Sequence, residues 1–145
     1  MNIFSEAEKK RITTAIYNAE LKTSGEIKVH VEDQCPLDSP VERAKEVFLL
    51  LSLDHTALRN GVLFYLSISD RQFAILGDQG IHEKVGSGFW EEEKKLMFEY
   101  LHSGNTVEGV SLAIEMAGEA LQEHFPYQSD DVNEISNDIS FGNIK

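Results

Sequence analysis

The sequence predicts a small three-layer α/β/α sandwich on a mixed sheet, with elements in the order α-β-α-β-β-α-α. Three observations predict it. A chain of 145 residues suits one domain with a real core. Apolar residues recur at steps of three and four in some segments and as alternating or continuous runs in others, the signatures of helices and strands. The first and second strand runs are separated by a helix, which demands a parallel crossover, whereas the second and third are two polar residues apart, which demands an antiparallel hairpin.

The first helix opens at Ser5-Glu6-Ala7-Glu8, a capping box, and its apolar face is Ala7, Ile12, Ala15, Ile16 and Ala19. It ends near Thr23-Ser24-Gly25. In the strand that follows, Ile27, Val29 and Val31 alternate with Glu26, Lys28, His30 and Glu32, which gives one face to the core and one to water. A loop from Cys35 to Pro40 leads to the second helix, started by Ser39-Pro40-Val41-Glu42. Its stripe is Val41, Ala44, Val47, Phe48 and Leu51, and it fades around Leu53-Asp54-His55.

Arg59-Asn60-Gly61 is turn chemistry. It opens the apolar run from Val62, a central strand covered on both faces. Asp70-Arg71 breaks the run before the third strand, QFAIL. The glycine-rich stretch from Gly77 to Gly88 reads as a turn, in which Asp78 sits between Gly77 and Gly80. The next helix carries Phe89, Leu96, Met97, Tyr100 and Leu101 on one face and Glu91, Glu92 and Glu93 in its first turn. A capping box at Asn105-Thr106-Val107-Glu108 starts the last helix, striped by Val107, Val110, Ile114, Ala117 and Leu121 and ending near Phe125-Pro126. The domain therefore spans 1–126. Residues 127–145, with Asp130, Asp131, Glu134 and Asp138, read as an acidic tail, mobile or weakly docked.

Composition excludes several functions. Thirteen basic against 25 acidic side chains give a net charge of −12, a poor balance for nucleic acid or anionic lipid. Cys35 is the sole cysteine, so no internal disulfide or thiolate zinc cluster forms. The histidines show no metal-ligand pair. His82-Glu83 begins like a zincin motif, but Gly86 stands where the second histidine belongs. With no apolar signal core and no apolar run long enough to span a bilayer, the chain is expected to be soluble and cytoplasmic.

The motifs carry a resemblance. Asn60-Gly61, Val62-Leu63, the Asp70-Arg71 pair and the strand closing on Gly77 to Ile81 resemble the core signature of the TPM domain family, which includes thylakoid-lumen, photosystem-repair and acetylcholine-receptor-associated members. SGEIKVHV is similar to that family's first strand. The spacing departs from the pattern in one place: two residues, rather than one, separate Gly77 from Gly80. The resemblance covers residues 5 to 126 and implies a compact α/β/α fold. It also implies divalent-cation binding by acidic residues near strand ends and, from plant members, phosphatase activity; other members are assembly factors without chemistry. Many members carry a signal peptide and a following transmembrane segment; this sequence is expected to have neither, so the thylakoid and receptor roles are not expected to transfer.

Topology then sets two poles. One gathers the starts of the first two strands and the end of the third; the other gathers Glu32, Asp33, Asp70 and Arg71. At the first pole, Asp78 with Glu26, Asp54, Asn60 and Glu83 is expected to offer oxygen ligands to Ca²⁺ or Mg²⁺, and Arg59 to hold a phosphate group beside the metal. The alternative at Asp78 is structural: Gly77 and Gly80 supply backbone freedom and the carboxylate caps the next turn. The sequence shows no P-loop, no paired DxD aspartates and no phosphoryl nucleophile in a recognisable motif. It therefore favours a cation-binding assembly or interaction module, with a protein partner, over a metal-assisted phosphatase.

Overall fold

The computed structural model describes residues 3–127 and 139–142. Helix α1 (Glu6–Glu20) begins with the expected box: Ser5 Oγ accepts from the Glu8 amide at 3.1 Å and the Glu8 carboxylate accepts from the Ser5 amide at 2.8 Å. Strand β1 (Glu26–Glu32) follows, then α2 (Pro40–Leu50), a 3₁₀ turn at Leu53–His55, and strands β2 (Gly61–Ser67) and β3 (Gln72–Gly77). Helices α3 (Gln79–His102) and α4 (Thr106–His124) complete the expected order. The fold class is as the sequence predicts. β1 runs parallel to β2, with Glu26 opposite Gly61 and Glu32 opposite Ser67, and β3 returns antiparallel to β2.

A further strand joins this set. β4 (Ser140–Phe141) pairs parallel to β1 at His30 and Val31, giving the sheet order β3-β2-β1-β4. Two residues are too few for an alternating pattern to signal a strand. The acidic residues expected in the tail, 130, 131, 134 and 138, lie outside the described residues.

One face of the sheet packs Ile27, Val29, Val31, Val62, Phe64 and Leu66 against Ile12 and Ile16 of α1, Met97 of α3 and Ile114 of α4. The other packs Leu63, Tyr65 and Ala74 against Ala44, Val47 and Phe48 of α2, with Leu53. Each of the five residues Val62 to Leu66 is fully buried, a stabilisation of roughly 1.5–3 kcal/mol for each large apolar side chain. This is the doubly covered central strand the apolar run predicted.

Five local expectations are corrected. The polar face of β1 does not meet water: Glu26, Lys28, His30 and Glu32 are all buried. Alternation reports which residues share a face, but a second layer can cover the polar side as well. The stretch after Gly77 is no loop. Asp78 caps a helix that starts at Gln79, breaks at Gly86 (φ 75°, ψ 174°) and resumes. Its glycines masked a helical segment held by tertiary contacts. Glu93 is accordingly mid-helix and fully buried, not a first-turn surface charge. Asn105 makes no side-chain cap: its backbone (φ −107°, ψ 50°) departs from the extended form of the capping residues Ser5, Ser39 and Asp78, and its amide Nδ2 donates to Ser103 Oγ at 3.2 Å. In α2, Val41 faces solvent and Arg43 takes a buried place in the stripe.

Candidate functional site

The first pole forms as topology predicts. The Asp78 amide donates to the Gly61 carbonyl at 2.9 Å, and Asn60 Nδ2 reaches Ser24 Oγ at 3.4 Å, so the three strand ends meet. The loop before β2 is tightly held. The Arg59 amide donates to the Thr56 carbonyl (3.2 Å), the Asn60 amide to Thr56 Oγ1 (3.1 Å), and the Gly80 amide to the Arg59 carbonyl (2.8 Å). Arg59 sits in the left-handed region at φ 54°, a conformation sustained by those surrounding bonds. Gly80 is where close approach requires glycine: a Cβ there would stand 2.2 Å from the Leu58 carbonyl oxygen.

Asp78 is buried and fully engaged. Arg59 Nε donates to Oδ2 at 2.6 Å and Nη2 to Oδ1 at 2.9 Å, a two-pronged grip. Oδ1 also accepts from the Gln79 amide at 2.8 Å, which caps α3. The Asp78 bond raises the already high pKa of Arg59, and the nearby Asp54 charge adds to it. Asp54, on the 3₁₀ turn, presents a buried Oδ1 with no hydrogen-bond partner among the described residues; the His55 ring Nε2 stands 3.7 Å away. Asp54, Asp78, Arg59 and Lys45 share one open cavity of about 370 Å³, whose apolar wall is Phe48, Leu49 and Leu76.

The other expected ligands lie elsewhere. Glu83 is exposed on α3, outside this cavity. Asn60 is buried with its amide turned to Ser24, and its Oδ1 has no partner among the described residues. Glu26 lies on the buried face of β1 beside Glu20. Burial, and then the neighbouring Glu26, push the Glu20 carboxyl up to about 8, although its Oε2 accepts from the Ile27 amide at 2.7 Å. Among the described residues, no three His, Cys, Asp or Glu side chains converge as a metal cluster. The chemistry of the donor set at Asp54 and Asp78 still fits a hard cation. Two carboxylates, one with an orphaned buried oxygen, leave the remaining positions to main-chain carbonyls and water.

Sequence reasoning missed Lys45, Phe48, Leu49 and Leu76 as cavity walls, and it missed a buried network at the opposite pole. There Arg43 holds Glu32, Tyr65 donates to Glu32, and His30 Nδ1 lies 2.5 Å from Ser140 Oγ. One signal was available: Arg43 falls four residues before Val47, on the buried face of its helix.

Sheet, layers and site together define a compact α/β/α domain with a charged cavity at one pole. The chain belongs to the TPM domain family, whose model matches residues 1–120. Its fold is similar to that of the BA42 protein from the psychrophilic bacterium Bizionia argentinensis, with 40% identity over 97% of each chain and a TM-score of 0.89. It also resembles the N-terminal domain of the cg2496 protein from Corynebacterium glutamicum, with 14% identity, 83% of this chain and 76% of that one covered, and a TM-score of 0.67, a likeness of fold alone. No curated protein matches the chain. None of the helices among the described residues is long and apolar enough to cross a membrane.

Proposed function

We propose that this TPM domain is a divalent-cation-binding module, taking Ca²⁺ or Mg²⁺ between Asp54 and Asp78 and serving as an assembly or interaction domain. The observation that carries this reading is the buried Oδ1 of Asp54, which has no hydrogen-bond partner among the described residues, in the same cavity as Asp78. A buried carboxylate oxygen without a partner is costly, and a cation removes that cost. Glu26, Asn60 and Glu83 contribute no direct ligand in this reading; Asn60 and Gly61 instead position the strand end on which Asp78 is held.

A second reading, a metal-assisted phosphatase, is favoured by the placement of Lys45 and Arg59 in the same cavity, where both could meet a phosphoryl group. Thermal melting and NMR titration with Ca²⁺ and Mg²⁺ separate the outcomes. Cation binding raises the melting temperature with concentration and perturbs amides near Asp54 and Asp78. Asp54→Asn abolishes the shift in a folded protein. Absence of any shift with either cation overturns the binding reading. Turnover of a generic phosphate ester that requires added metal and is lost in Asp78→Asn would replace it with the enzyme.

A further inference from the structure

We propose that the open edge of β3, where α3 overhangs it, is a strand-addition site for an extended partner segment with apolar side chains at alternate positions and basic residues at its flanks. The inference names a surface and a partner for the interaction module proposed above, and it does not depend on the cation.

β3 is the outer strand of the sheet, and no strand among the described residues lies beside it. The Asp78 amide bonds to Gly61, directly across on β2, and in an antiparallel ladder bonded pairs alternate with unbonded ones. Leu76, Ala74 and Gln72 therefore turn their main-chain groups to β2, and Gly77, Ile75 and Phe73 turn theirs to the open edge. Natural edges are commonly protected by charge, proline or a bulge. Residues 73–77 hold no charge and no proline, and their register with β2 runs without a break.

The helix layer makes this edge a slot. α4 packs between α1 and α3; α1 meets β1 and α3 meets β3. Three helices side by side, at about 8–10 Å, span roughly 16–20 Å, whereas β1 to β3, at about 4.8 Å, span roughly 10 Å. α3 thus overhangs the edge by about 3–5 Å, close to one strand spacing. A second copy pairing edge to edge would bring its own α3 into the same layer, where the two overhangs collide. A lone strand brings no helix and fits.

A cavity of about 350 Å³ runs along the edge, and its lining includes Ile75, Gly77, Ser87, Trp90, Glu91 and Lys94. Trp90 is 7% exposed, and its buried Nε1–H has no acceptor among the described residues. An unpaired buried donor is costly, and a carbonyl of an added strand removes that cost. Glu91 and Lys94 neutralise each other on the rim at 3.6 Å, so the slot suits an uncharged core segment. The chain around it carries a net charge of −12, which draws basic flanks.

The test uses the full chain, with a chelator present, and two end-capped probes, KKVTVTVKK and EEVTVTVEE. Trp90 is the sole tryptophan, so its fluorescence and indole N–H resonance report the slot directly. KKVTVTVKK shifts both signals and slows amide exchange at Phe73, Ile75 and Gly77 by about tenfold or more. Ala74 and Leu76, already bonded to β2, change little. EEVTVTVEE binds at least about tenfold more weakly at low salt. N-methylating the valines of KKVTVTVKK, or else its threonines, removes donors from one edge of the peptide only. One of these two peptides loses about tenfold or more in affinity, and the other stays within about twofold. Ser87→Phe, which fills the slot from an exposed helix position, also weakens binding about tenfold. The proposal is overturned if neither probe binds, if EEVTVTVEE binds as tightly, if the two N-methylated peptides bind alike, or if a folded Ser87→Phe protein binds like wild type. Concentration-dependent protection of the same three amides without peptide overturns it in favour of a second copy. Cation binding without peptide binding removes strand addition alone; peptide binding in a chain that takes neither Ca²⁺ nor Mg²⁺ removes the cation reading alone.

Discussion

Arg43 holds Glu32 from two nitrogens inside the protein, with Nε donating at 3.0 Å and Nη2 at 2.7 Å, and both side chains almost wholly removed from water. The Tyr65 hydroxyl adds a third donor to Glu32 at 2.5 Å. Burial works against the Glu32 charge, but the hydrogen bonds from Arg43 and Tyr65 outweigh it and hold the carboxyl below its usual pKa. The grip ties α2 to the ends of β1 and β2, at the pole opposite the cavity. Arg43→Met, which strips Glu32 of its counter-charge, is expected to cost about 3–5 kcal/mol. Tyr65→Phe, which removes one donor, is expected to cost about 1–3 kcal/mol. Urea unfolding at pH 7 measures both. A loss under 1 kcal/mol in Arg43→Met would show that the pair does not hold these elements.

The network also shows how far the fold was legible. Helix and strand periodicity, the Ser5 and Ser39 caps and the hairpin at Asp70-Arg71 report local geometry, and local geometry was read well. His30 and Glu32 looked like surface groups, and Arg43 drew no reading, because burial of the polar face of β1 depends on elements distant in sequence. The helix at Gln79 was hidden for a related reason. Gly80, Gly86 and Gly88 lower its intrinsic propensity, and the contacts that hold it, such as Ile81 in the core, are made only after folding.

Glu93 gives the fold a pH dependence on its alkaline side. It is fully buried, neither carboxylate oxygen has a partner among the described residues, and burial pushes its pKa up to about 8. The unfolded chain releases this proton near the ordinary glutamate value, about 4.3. Between that value and about 8, the folded state binds more protons than the unfolded state. Stability therefore falls as pH rises through the window, at up to roughly 1.4 kcal/mol per pH unit. Glu93→Gln should flatten the slope, giving a protein more stable than wild type at pH 8.5 but not at pH 4.5. Melting temperatures across that range are the check; parallel curves for the two proteins would place the titrating group elsewhere.

His30 acts in the acid direction. Burial is the main cause that lowers its pKa, with the Glu32 charge opposing and the Arg43 charge assisting. As pH falls below about 6.5 the unfolded histidine protonates first, so stability declines with falling pH until the folded value is passed. The neutral ring faces Ser140 of β4 through Nδ1, Tyr65 in a stacked arrangement at 6.2 Å, and Glu32 at 3.6 Å. His30→Gln is expected to remove the decline between pH 6.5 and 5 that belongs to this group. The same variant should speed amide exchange at Gly142, whose amide donates to the Val31 carbonyl beside β4. An unchanged exchange rate would separate His30 from the docking of β4.

At the cavity, sequence and topology together named Asp54, Arg59 and Asp78, because strand ends at one pole must converge. They did not reveal that Arg59 grips Asp78, since a side-chain pairing across 19 residues follows from the left-handed turn at Arg59 and the cap at Asp78. Nor did they separate Glu26 and Asn60, which share the pole but do not line the cavity. The direction of a strand-end side chain depends on its register, and a register shift of one residue reverses its face.

Gly80 links this loop to α3, and helix propensity and packing predict opposite outcomes for its replacement. By propensity alone, Gly80→Ala inside a helix should gain roughly 0.5–1 kcal/mol. The new Cβ, however, would lie 2.2 Å from the Leu58 carbonyl oxygen and 2.6 Å from that of Arg59, both main-chain atoms that cannot rotate away. Packing should dominate, with a net loss of about 1–3 kcal/mol. The displaced loop would carry Arg59 off Asp78 and weaken any ligand that depends on their shared geometry. Gly88→Ala is the control: in the segment of α3 that resumes after Gly86, a Cβ at that position meets nothing within 4 Å, so only the propensity gain remains. Denaturant midpoints of the two variants should therefore move in opposite directions. A stabilised Gly80→Ala protein would mean that the loop yields to α3, and that Arg59 and Asp78 are not held in register by this contact.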